Sequence, residues 1–174
     1  MRKLYLLTLI CFFLSACGFH LQGKMQLAKP LRNIYLQTPD PYGTLARSLV
    51  EYLKMSKVTL ASSPQTADTI LVILQDNTSE ELLSVSSTQQ TRQYNLKVTV
   101  KFEITDAKDR MILPPQSLTE IRVITVQANQ ILGSSNEANL YYQQMRRAIA
   151  YAIMNRINSK EVSKIVVNAF DSQT

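Results

Sequence analysis

Four glycines, two cysteines, one histidine and no tryptophan in 174 residues remove most routes to catalysis. Gly18 and Gly23 lie ahead of any periodic segment, so no glycine-rich loop exists to cradle a phosphate or a dinucleotide. His20 has no second histidine with which to share a metal and none downstream to serve a nucleophile. Carboxylates are scattered: Glu80-Glu81 is the one adjacent acidic pair and reads as a solvated loop. Residues 106–110 (DAKDR) lack calcium-loop spacing and read better as a hairpin turn. No catalytic residue, no metal ligand and no cofactor is assigned, and an enzyme is the weakest of the functional classes.

The amino terminus is more specific. Arg2 and Lys3 precede an apolar stretch at residues 4–14, followed by Ser15-Ala16 and then Cys17. This is the charge, apolar run and small-residue order of an export signal. The apolar stretch is too short to cross about 30 Å of hydrocarbon as a helix. Leu14-Ser15-Ala16-Cys17 resembles the bacterial lipoprotein lipobox, in which the cysteine is acylated and becomes the first mature residue. Residues 1–16 are then the signal peptide and Cys17 is the lipid-attachment site. The alternative is an ordinary signal with a cysteine near its cut. One acyl chain holds a membrane marginally and several hold it firmly; the lipobox pattern implies three. With Cys11 lost and Cys17 acylated, no thiol is left for a disulfide or a metal.

Removing residues 1–16 lowers the basic count from 19 to 17 against 13 acidic residues, a mature charge of about +4. The excess is spread along the chain, which does not favour nucleic acid but suits an anionic membrane surface or a phosphorylated glycolipid. The mature length supports one domain with a real core.

Residues 17–30 carry no periodicity and read as a lipidated tether. Residues 31–158 read as a single domain and 159–174 as a carboxy-terminal extension. Residues 31–37 predict a strand ending at Thr38-Pro39-Asp40-Pro41. Asp40 is placed to cap a helix with Pro41 at its first position. Tyr42, Leu45, Ala46, Leu49, Val50 and Leu53 then recur at helical spacing. Residues 58–60 are a short strand candidate, and 69–74 (TILVIL) a buried strand.

The clearest strand is 94–105, where Tyr94, Leu96, Val98, Val100, Phe102 and Ile104 alternate with polar residues, so one face is buried and the other wet. Residues 118–126 read by pattern as its antiparallel partner; the alternation slips at Val123-Ile124, which predicts a bulge. Ser134 and Glu137 have capping-box spacing. They open a helix to about Asn158 with Tyr142, Met145, Ile149, Ala152, Ile153 and Ile157 on one stripe. Residues 162–170 fit a last strand or a short helix equally. The expected fold is α+β, a two-layer sandwich with two helices on one face of a mostly antiparallel sheet of about four strands. The other sheet face is left polar and available.

Nine of the twelve residues 84–95 are Ser, Thr, Gln or Asn. Short uncharged polar side chains suit a wet, close interface, although a solvated hairpin explains them equally well. Ser84, Ser86, Ser87, Thr88, Gln89, Gln90, Thr91 and Gln93 are therefore the candidate contacts with a partner. Arg92, Lys97, Lys101, Arg146 and Arg147 are the candidates for holding phosphate, each also readable as a plain solvent charge.

Cys17-Gly18-Phe19-His20-Leu21, followed by Gln22-Gly23, resembles the mature start of the LptE family of lipopolysaccharide-assembly lipoproteins, also called rare lipoprotein B. The usual form there is Cys-Gly-aromatic-His-Leu-Arg, and Gln22 departs from it. The element order of residues 17–158 is similar too. The resemblance implies two helices on a four-stranded sheet, anchored by lipid on the periplasmic side of a Gram-negative outer membrane. It implies a 1:1 plug inside the β-barrel LptD that supports assembly of that barrel, binds lipopolysaccharide and helps deliver it to the outer leaflet. The family's lipopolysaccharide contact is attributed to basic loop residues, whereas residues 86–90 and 131–136 here carry no basic side chain. Gly18 after the cysteine agrees, by analogy, with sorting to the outer membrane. The alternative is a free-standing envelope lipoprotein that binds a glycolipid or another envelope component.

Overall fold

A computed structural model describes residues 27–88, 91–127 and 136–172. In chain order the elements are β1 (Asn33–Gln37), α1 (Thr44–Met55), β2 (Thr59–Leu60), β3 (Thr69–Val85), β4 (Thr91–Asp106), β5 (Met111–Gln127), α2 (Asn136–Ile157) and α3 (Lys160–Asp171). The strands form one mixed sheet in the order β2-β1-β3-β4-β5. β1 runs parallel to β2 and β3, and α1 supplies the crossover that a parallel pair needs. β3, β4 and β5 form an antiparallel meander. The α+β expectation holds, with five strands and three helices among the described residues.

The alternation in β4 is the centre of the core. Leu96, Val98, Val100, Phe102 and Ile104 are all buried on the side that takes the helices. α1 contributes Leu45, Leu49 and Leu53, spaced by four, to the same core. α2 packs on α1 as well as on β4 and β5, which widens its buried stripe beyond the expected residues to Ala150 and Met154. Tyr52 of α1 and Tyr151 of α2 meet edge to face, 5.9 Å between centroids.

Several local expectations are corrected. Asp40 does not cap α1: its carboxylate accepts from the Tyr42 N–H at 3.2 Å, closing a turn, and the helix starts after Gly43. A Cβ at Gly43 would sit 2.3 Å from Asp40 Oδ2, so the tight turn favours glycine there. Tyr42 falls outside the helix and is 87% exposed. Leu27, inside the stretch read as tether, is buried in the core, and a 3-10 turn at Lys29–Arg32 shortens the first strand. The expected bulge at Val123-Ile124 is absent, because β5 keeps register with β4 there. Ile121 and Val123 simply point away from the helices. The register shifts lie instead beside Ile104.

Residues 160–171 resolve as a helix. Ser159 Oγ accepts from the Val162 N–H at 3.2 Å, and Val162 and Val166, one turn apart, are fully buried. Arg156 of α2 bonds Glu161 of α3 at 2.7 Å and Gln116 of β5 at 3.3 Å, clasping three elements. Ser134 lies outside the described residues, as do Cys17 and His20.

The β4–β5 turn is closed by Asp106. Its carboxylate accepts from the N–H groups of Lys108 at 2.8 Å and Arg110 at 2.9 Å, and from Arg110 Nε at 2.6 Å. Burial works to raise the Asp106 pKa, but the two backbone donors and the guanidinium outweigh it and hold the carboxyl below its usual range. A depressed carboxylate stabilises the fold above its unfolded pKa, and that contribution is lost as pH falls through the folded value. Asp106→Asn should cost about 1–3 kcal/mol in urea unfolding at pH 7. The gap from wild type should close as the pH falls below about 4; an equal gap at pH 7 and pH 3 would show that charge plays no part.

Candidate partner-binding surfaces

The register of the meander sorts its side chains between two faces. Away from the helices, Asn95, Lys97, Thr99 and Lys101 of β4 lie across from Val123, Ile121, Thr119 and Ser117 of β5. On the other flank they meet Glu81, Ser79, Asn77 and Gln75 of β3. This is the open polar face anticipated above, and it is stitched across strands by the Thr99 and Thr119 hydroxyls at 3.1 Å. It also carries apolar area, with Ile121 55% and Val123 57% exposed. The pattern at 118–126 held that signal, but a bulge was the simpler explanation for two apolar neighbours.

The polar tract forms the tip of the β3–β4 hairpin. Ser86 N–H donates to Thr91 O at 2.9 Å, and Thr91 N–H donates to Ser86 Oγ at 3.1 Å. Ser84 donates to Gln93 at 3.0 Å, and the Ser86 and Thr88 hydroxyls meet at 3.3 Å. Much of this polarity therefore folds the hairpin itself. Ser87 is exposed, and Gln89 and Gln90 lie outside the described residues. Beside the tip, Leu82, Leu83 and Val85 are about half exposed, an apolar shoulder that the polar composition concealed.

The five basic candidates do not converge. Lys97 and Lys101 share the open face, about 13 Å apart along the strand. Arg92 pairs with Val126 and lies on the opposite side of β4. Arg147 is exposed on α2. Arg146 Nε donates to both Asp76 oxygens, at 3.0 and 2.8 Å, so a phosphate reaching it would meet a guanidinium whose charge is already paired with a carboxylate. Arg122, not singled out by the sequence reading, faces α2: it donates to Gln144 at 2.6 Å and lies 5.2 Å over the Tyr141 ring.

The Arg146–Asp76 pair borders a cleft of about 790 Å³ that opens where β1 stops. Thr38 to Leu45 form one wall, residues 74–78 of β3 the floor, and Asn139, Tyr142 and Gln143 of α2 the other wall. Burial raises the Tyr142 pKa, helped by the charge of Glu80, so the cleft presents a neutral phenol. Among the described residues, no group of His, Cys, Asp and Glu is placed to hold a metal, and no helix is long and apolar enough to cross a membrane.

The family profile described as "LptE: Lipopolysaccharide-assembly" matches residues 31–157, most of the chain and all of the meander. The chain belongs to the LptE family. This LptE-family protein is 25% identical over 167 residues to the LPS-assembly lipoprotein LptE of Pectobacterium atrosepticum, covering 95% of this chain and 90% of that protein. It is 27% identical over 158 residues to the protein of the same name from Yersinia enterocolitica, covering 87% and 73%. Its fold is similar to lipoprotein B from Nitrosomonas europaea, TM-score 0.65 at 20% identity, over 81% of this chain and 90% of that one. Rare lipoprotein B from Shewanella oneidensis gives a TM-score of 0.57 at 22% identity, over 74% and 96%. At those identities the solved structures speak for the fold alone.

Arg146 and Asp76 are each partly exposed, so their pairing is worth less than a buried ion pair and more than a surface one. Arg146→Ala and Asp76→Ala should each cost about 1–2 kcal/mol. The double variant should lose clearly less than the sum, as a double-mutant cycle by urea unfolding would read. Strict additivity would mean that the two side chains are not coupled.

Proposed function

We propose that this protein is an outer-membrane lipoprotein, anchored through acylated Cys17, that seats as a 1:1 plug in an LptD-type β-barrel. It supports assembly of that barrel and helps deliver lipopolysaccharide to the outer leaflet. The observation that carries this reading is the open face of the meander, where Asn95, Thr99, Ser117, Thr119, Gln75, Asn77 and Ser79 offer uncharged hydrogen-bonding groups across three long strands, with Lys97, Lys101 and Glu81 among them. The inward-facing residues of a wide barrel are polar, so a plug needs a largely polar exterior of this kind, able to exchange hydrogen bonds directly or through water. The named roles of the LptE relatives in lipopolysaccharide assembly support the same reading. It requires no catalytic step.

Lipopolysaccharide contact, on this reading, centres on Lys97 and Lys101, the two candidate cations that share the open face. Arg92, Arg146 and Arg147 are placed to act only from other surfaces, and Ser84, Ser86, Ser87, Thr88, Thr91 and Gln93 are assigned to barrel contact at the hairpin.

In detergent extracts of the envelope, the tagged lipidated chain should bring down a barrel protein in equal amount; recovery of the chain alone would overturn the plug reading and favour a free-standing glycolipid binder. Lys97→Ala with Lys101→Ala should weaken lipopolysaccharide binding about tenfold, two exposed charge contacts of up to about 1 kcal/mol each. Binding within twofold of wild type would remove the open face as the site. Cys17→Ala should give a folded chain that leaves the membrane fraction, and its retention there would show that the lipid is dispensable for location.

A further inference from the structure

β1 pairs with β3 only over residues 69–72, and the chain then turns away at Pro39. From residue 73 to 85 the inner edge of β3 stays bonded to β4, while its outer edge faces no strand among the described residues. Such an edge presents a row of unpaired N–H and C=O groups, and natural proteins blunt it with lysine, proline, bulges or a short strand. Residues 74–85 contain no lysine and no proline. β5, which is an edge strand along its length, carries Pro114-Pro115.

Register shifts at Leu74 and Leu83 frame a regular window, residues 75–82, between them. The start of that window is the floor of the 790 Å³ cleft, with α1 and α2 on either side. An incoming strand would continue the line that β1 leaves. The position is a bounded slot rather than a bare rim.

The window also has a sign. It holds Asp76, Glu80 and Glu81 and no basic residue, in a chain whose net charge is +6. Asp76 is already paired with Arg146. Glu80 pairs in register with buried Leu96 and lies near Tyr142, on the helix side, whereas Glu81 pairs with Asn95 on the open side. The two carboxylates therefore flank the same stretch of edge from above and below. Two copies pairing through this edge would bring like charges together, which is destabilising across a strand pair.

We propose that the edge at residues 75–82 takes up an extended, basic segment of the barrel partner as an added strand, adjacent basic residues of that segment meeting Glu80 and Glu81. Main-chain hydrogen bonds supply the affinity and the two carboxylates supply the selection. The inference rests on the barrel-plug reading and names the contact through which the plug is gripped.

The test uses the lipidated full chain coexpressed with its barrel. Hydrogen exchange should show at least tenfold slower exchange for amides within 75–82 in the complex than in the free chain. A photo-crosslinker at Ser79 should map to a basic stretch of the barrel chain. Glu80→Lys with Glu81→Lys should lower recovery of the barrel at least tenfold with an unchanged circular dichroism spectrum. If wild type recovers the barrel but exchange at 75–82 is unaltered, or the charge-reversed chain recovers it within twofold, the added strand is refuted while the plug reading stands. A cross-link to a second copy, or to this chain's own residues 17–26, refutes the proposed occupant. If wild type recovers no barrel at all, the plug reading fails and the inference with it.

Discussion

Everything in this molecule is arranged around the two edges and the one dry face of β4. Its backbone is bonded to β3 on one side and β5 on the other for nearly its whole length, and its apolar residues take the weight of the helices. Because side chains alternate strictly, burying Leu96 to Ile104 on one side puts Lys97, Thr99 and Lys101 on the other. The core and the open surface are therefore one choice of register. A slip by one residue would drown the lysines and expose the leucine, valines and phenylalanine together.

How much of this was legible depended on whether a segment recorded its own burial. β4 did, with a clean period of two, and so did α1, whose Leu45, Leu49 and Leu53 keep helical spacing. β3 was legible over residues 69–74, which read as a strand, but eight of the next eleven are polar, nearly all are exposed, and they are held by backbone pairing to β4. A ladder of that kind leaves no apolar rhythm to read. In α3, Val162, Ile165, Val166, Ala169 and Phe170 do follow helical spacing, but the segment is too short for that spacing alone to separate helix from strand; the Ser159 cap settles it. Asp40 had cap chemistry but served the turn before the helix instead.

The candidate site was legible in composition and not in arrangement. Polar residues at 84–95 pointed to the hairpin, but their mutual hydrogen bonds and the apolar shoulder at Leu82, Leu83 and Val85 needed the fold. The basic residues were picked one at a time, and pairing between strands then separated Arg92 from Lys97 and bound Arg146 to Asp76. Arg122 escaped notice because a cation on the helix side of a strand is unexpected until Gln144 and Tyr141 are seen to receive it.

The meander's length has a mechanical consequence. Seventeen residues of β3 span about 50 Å, far more than the strands of most domains, and the helices cover only part of that distance. The far end is not bare: beside it Ile124 and Val126 of β5 stay buried with Ala138 at the start of α2, so packing follows the meander almost to the hairpin. The outer half of β3 is held through its ladder to β4, and a pull along the strands therefore loads many backbone bonds in shear at once.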